Sequence, residues 1–138
     1  MTANKGTMQV SISVSDEKVA NALISAFEGG SNYWYMITKT HSPDGERALW
    51  PYRTDSGRVY PHVDYPMNPG GYLMIRSTEE PEKGEFKLDR KAIEIGLQKL
   101  ANSETYGFHF GDLTRDNDDQ ITGDVLLQFC LFGDCLYS

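Results

Sequence analysis

Met8, Val10, Ile12 and Val14 alternate with Gln9, Ser11 and Ser13. A period of two predicts a half-buried strand over residues 8–15. The period then changes. Val19, Leu23, Ile24 and Phe27 form one helical stripe, with Ala20, Ala22 and Ala26 raising helix propensity and Ser15 or Asp16 as N-cap. Gly29 and Gly30 follow, and a glycine just past a helix predicts a left-handed stop. Residues 32–40 (NYWYMITKT) are rich in aromatic and β-branched side chains and predict a second strand.

Residues 41–71 break both periods. Pro43, Pro51, Pro61, Pro66 and Pro69 fall here with Gly45, Gly57, Gly70 and Gly71. Proline fixes φ and removes an amide donor, so the segment predicts a long loop rather than a regular core element. It also carries Trp50, Tyr52, Tyr60 and Tyr65, too much apolar surface for a mere linker. An ordered aromatic lid is expected, with a hairpin turn at Thr54–Gly57.

Residues 72–78 (YLMIRST) predict a third strand, and 79–85 (EEPEKGE) a charged turn. Asp89 caps a second helix with Ile93, Leu97 and Leu100 on one face. Tyr106, Phe108, Phe110 and Leu113 suggest a short helix. Thr122 is placed as the cap of a third helix over 124–132, striped by Val125, Leu126, Phe129 and Phe132 and ended by Gly133; residues 135–137 add an edge strand. The expected fold is one α+β domain over 1–138: a short mixed sheet of about four strands, with about three helices packed mainly on one face.

Composition adds limits. With 39% hydrophobic and 24% charged residues in 138, the chain is of the globular class. Its apolar runs are too short for a bilayer, and MTANKGTMQV lacks an apolar signal core, so no membrane and no export are expected. The net charge of −7 is unevenly placed: residues 1–78 carry seven basic and seven acidic side chains, residues 79–138 six and thirteen. Phosphate neutralisation needs the opposite sign, so direct nucleic-acid binding is not expected. A basic protein surface is the better complement. Cys130 and Cys135 are too few for a disulfide scaffold and read as reduced thiols, Cys130 as a core residue.

Candidate chemistry is sparse. The stretch 114–125 compares poorly with a calcium loop: Thr114 stands at the first position, Asp119 at the glycine position and Val125 at the bidentate carboxylate position. His41, His62 and His109 form no ligand spacing, so no metal and no cofactor are expected. No nucleophile elbow, phosphate loop or metalloprotease motif occurs, which points away from an enzyme. Phe27–Tyr35 (FEGGSNYWY) is the most informative segment. Backbone at Gly29 and Gly30, with Asn32 and Tyr33, offers polar and stacking groups for a ligand or partner. Trp50 and Tyr52 would extend that surface, and Arg53 or Arg58 would hold a phosphate. Trp34 is expected in the core.

FEGGSNYWY, with LDRKAIEIGLQKL and TGDVLLQFCLFGDCLY, resembles a family of small, largely uncharacterised accessory proteins of tailed phages and prophages. The resemblance spans Val19–Tyr137 except the middle loop and brings no catalytic residues. It implies an accessory protein in the cytoplasm of the bacterial host. The expected function is binding of a host or phage protein so as to interfere with antiviral defence. Two alternatives stand beside it: a sponge for a signalling nucleotide, and a metal-dependent hydrolase using Asp64, Asp112 and Asp116. Homo-oligomer formation through the aromatic loop is a further expectation.

Overall fold

The computed structural model describes residues 6–43, 60–117 and 119–138. The chain forms a small α+β domain in the order α1 (Asp16–Ser25), β1 (Tyr35–His41), α2 (Pro61–Met67), β2 (Tyr72–Ser77), β3 (Glu85–Leu88), α3 (Arg90–Ala101), α4 (Gly107–Thr114) and α5 (Gln120–Phe132). The sheet is a three-stranded antiparallel meander, β1-β2-β3. This corrects the expected sheet of about four mixed strands and the expected three helices: the described residues form three strands and five α-helices.

Where the sequence carries both a period and a cap, helix and expectation agree. Ser15 accepts from the Lys18 amide at the start of α1, and Asp89 from the Ala92 amide at the start of α3. Gly133, at φ 73°, ends α5 in the left-handed conformation that a side chain would strain. The caps of α5 differ from expectation. Asp119 accepts from the Thr122 amide, so the helix begins at Gln120, four residues before the expected start, and Thr122 lies inside it.

Three departures are larger. Residues 8–14 do not join the sheet, and no hydrogen bond ties them to other described residues. Met8, Val10 and Ile12 are 91%, 78% and 62% exposed, and Val14 alone of the alternating set packs on the core. Alternation describes a pleated chain, but a strand also needs a neighbour, and β1-β2-β3 closes without this one. Second, the long loop contains α2. Pro61 sits at N1, where its lost amide costs nothing, and Val63 and Met67, four apart, both reach the core. Third, β3 arises in the charged hairpin after a short 3-10 turn at Pro81–Lys83, and residues 135–137 form no strand. The expected hairpin at 54–57 lies outside the described residues.

α5 is the axis of the molecule. Residues 122–130 are all buried, with α1 and α3 against it and the end of β3 nearby. The core combines Val19, Leu23 and Phe27, Leu73, Ile75 and Leu88 from the sheet, and Leu126, Leu127 and Phe129. The register sets Ile75 between Ile37 and Phe86, and Leu73 between Thr40 and Leu88. Cys130 is buried here, and burial pushes its thiol pKa up, so it is an inert packing group; Cys135 is half-buried. No helix among the described residues is long and apolar enough to cross a membrane.

His109 gives the fold a measurable pH dependence. Its Nδ1 lies 2.9 Å from Thr122 Oγ1, and burial holds its pKa below the usual value despite Asp112 and Asp119 nearby. The unfolded chain therefore takes up a proton at a pH where the folded chain does not. Stability is full above about pH 6.5 and falls as pH drops through that value towards the depressed folded pKa. His62, also lowered by burial, adds in the same direction. Urea midpoints should decline from pH 7.5 to 5.5, with a shallower slope in His109→Gln. An unchanged slope in the variant would remove His109 as the cause.

Candidate functional site

The segment after α1 was expected to free backbone amides for a ligand; its local geometry does something else first. Ala26–Gly30 forms a wide π turn in which the Ser31 amide reaches the Ala26 carbonyl at 2.9 Å. Gly29 is extended (φ 169°), so neither glycine is a left-handed stop. Gly30 is needed for proximity. A Cβ on Gly30 would sit 2.2 Å from the Gln120 carbonyl oxygen, and one on Gly29 would sit 2.7 Å from the Gln120 side-chain nitrogen. The Gln120 side chain can swing aside, but its backbone cannot, so it is Gly30 that lets this turn lie directly on the first turn of α5.

That approach carries Ser31, Tyr33 and Trp34 to one carboxylate. Asp124 Oδ1 accepts from Ser31 Oγ (2.7 Å), Trp34 Nε1 (2.6 Å) and Gln128 Nε2 (3.1 Å), and Oδ2 accepts from Tyr33 OH (2.6 Å). Such short, charge-assisted contacts are the strong kind. Burial, then the bond to Asp124, raises the Tyr33 pKa, so the phenol stays protonated and donating. Gln128 extends the network: its Nε2 also donates to the Tyr137 carbonyl, and its Oε1 accepts from the Leu136 and Tyr137 amides. Tyr137 in turn stacks on Trp34 at 5.5 Å. The motif near the N-terminus and the one near the C-terminus are therefore two halves of a single buried polar node.

The node has one open side. Gly29, Gly30, Tyr33, Gln120, Ile121, Asp124 and Ser138 line a cleft of about 350 Å³. Tyr33 is 41% and Ile121 66% exposed. Glu28 beside Gly29 and Asp119 beside Gln120 are exposed, so the neighbouring surface is acidic. With four donors on its two oxygens, Asp124 has little lone-pair capacity left for a general base; it fixes the shape of the cleft.

Of the residues singled out in the sequence, Gly29, Gly30 and Tyr33 come together here. Asn32 is exposed on the same turn and is not among the lining residues. Trp50, Tyr52, Arg53 and Arg58 lie outside the described residues. Trp34 is fully buried, as a core aromatic. Sequence reasoning missed Asp124, Gln120 and Ile121. An acidic residue in an otherwise apolar helix (TGDVLLQF) was the available signal, because a charge at a core position requires partners. The three carboxylates considered for metal chemistry are engaged separately: Asp64 with Asn68, Asp112 with Arg115, and Asp116 with Lys18. No group of three His, Cys, Asp or Glu residues suited to a metal ion occurs among the described residues.

Compared with protein-family models, with curated proteins and with solved structures, the chain matches none.

Proposed function

We propose that this chain is a phage accessory protein that interferes with a host antiviral defence by binding a protein partner in the bacterial cytoplasm. The observation that carries the binding part is the cleft over Asp124. Its exposed wall of Tyr33 and Ile121 is apolar, its floor is glycine backbone, and its carboxylate is occupied by the protein's own donors. A rigid, partly apolar depression with an acidic margin suits an apolar side chain followed by a basic one on a protein surface. The phage origin and the defence target rest on the resemblance of the motifs.

Ile121 supplies the test. It is exposed on the first turn of α5, so Ile121→Arg should fold with an unchanged urea midpoint. A photo-crosslinking residue at position 33 should capture one host protein, and Ile121→Arg should reduce that capture about tenfold, as for loss of a central contact. Undiminished capture would overturn the cleft as the contact. A nucleotide that stabilises the free protein by roughly 2.7 kcal/mol at 100 times its Kd would favour the sponge instead.

A further inference from the structure

The sheet has a second face, and its charge runs against that of the chain. β2 alternates: Leu73, Ile75 and Ser77 are buried, while Tyr72, Met74 and Arg76 are half-buried and look the other way. Residues paired directly across an antiparallel sheet share a face. The register therefore sets His41 beside Tyr72, Lys39 and Lys87 on either side of Met74, and Met36 and Glu85 on either side of Arg76. Met36, Lys39, His41, Glu85 and Lys87 are exposed. Among the described residues this face holds three permanent cations and one carboxylate, on a chain of net charge −7.

The cations are poorly neutralised. Lys39 and Lys87 make no ion pair among the described residues; their ammonium groups stand 5.9 Å and 4.5 Å from the centre of the Tyr72 ring. Arg76 meets Glu85 at a loose 3.8 Å, and its Nε–H has no acceptor among the described residues. The face is rich in donors and short of acceptors, which is the complement of a carboxylate-bearing chain. Lys39 and Lys87 are two strand spacings apart, about 10 Å, so one short segment can reach both.

We infer that the solvent face of the sheet, centred on Lys39, Met74 and Lys87, is a docking surface for a short acidic peptide segment of a partner protein. Nucleic acid fits less well. Base recognition needs a free aromatic face, and Tyr72 already stacks on His41 at 4.9 Å with Lys87 over the ring. A long polyanion would also meet the repulsion of the acidic remainder, whereas a short segment senses mainly charges within a Debye length of about 8 Å. This surface shares no lining residue with the Tyr33–Ile121 cleft, so either assignment can fail without the other.

The probe is a fluorescein-labelled ten-residue peptide of alternating Glu and Ser, titrated into the intact protein at low salt. Binding should move the amide signals of Tyr72, Met74 and Arg76, and should weaken about tenfold in Lys39→Glu/Lys87→Glu. Lys99→Glu/Arg115→Glu, with the same change in net charge on α3 and beyond α4, should stay within about twofold. Three results would each overturn the inference: no peptide binding, equal weakening in the two double variants, or tighter binding of a ten-nucleotide oligothymidylate.

Discussion

Asp124→Ala will destabilise the protein by about 3 kcal/mol, the largest effect expected of any single side chain on the node. The substitution removes the acceptor of Trp34 Nε1 and Ser31 Oγ, both buried, and of Gln128 Nε2 and Tyr33 OH. Tyr33 can turn to water and Gln128 keeps the Tyr137 carbonyl, so the cost falls mainly on Trp34 and Ser31. Each buried donor left unmet costs about 1–3 kcal/mol, partly offset because the variant no longer buries a charge. Asp124→Asn keeps one acceptor oxygen for the Oδ1 donors and should cost about half as much. Urea unfolding measures both: the midpoint should fall with m unchanged. A loss under about 1 kcal/mol in Asp124→Ala would mean that the node does not hold the two motifs together.

The second large effect is steric. Gly123 faces α1, and an added Cβ would lie 2.4 Å from the Ala22 carbonyl oxygen and 2.8 Å from the Ala26 nitrogen, both backbone. Neither can yield without parting α1 from α5. Gly123→Ala should therefore cost about 2–3 kcal/mol, as overpacked cores do. The sign is diagnostic. Helix propensity alone would make the same change stabilising by about 1 kcal/mol. A stabilised Gly123→Ala would show that the two helices do not approach as closely as the structure places them.

The two effects share a cause. The glycines at 30 and 123 bring the helix exit and α5 into contact, and Asp124 then secures what the contact has brought near. Gly30 meets the Gln120 carbonyl region as Gly123 meets Ala22. The cleft between Tyr33 and Ile121 is what remains open beside that joint.

How far the sequence reached is clearest in particular elements. α1 and α3 were legible because two independent local signals, apolar spacing and a capping oxygen, agreed within one turn. β2 was legible because a short apolar run, residues 72–75, is bounded by Gly70 and Gly71 on one side and a charged turn on the other. The strand expected at 8–15 was not realised, because pairing depends on a partner remote in sequence. α2 was hidden by its prolines: Pro61 is at home in the first helical turn, but Pro66 stands inside the seven-residue helix, where proline normally signals a break. The start of α5 was misplaced because Asp119 and Thr122 are both acceptable caps, and only the fold selects between them.

For the site, the sequence by itself determined the kinds of residue available: two glycines, a run of hydroxyl and indole donors, and an acid within an apolar helix. The tertiary structure decided that these belong together. Ser31, Tyr33 and Trp34 meet Asp124 across about 90 positions of chain, and no local period or cap encodes a contact of that separation. The same holds for the sheet face, where Lys39 and Lys87 become neighbours through Met74. Local structure follows from interactions a few residues apart; a site follows from which surfaces the whole chain can bury at once.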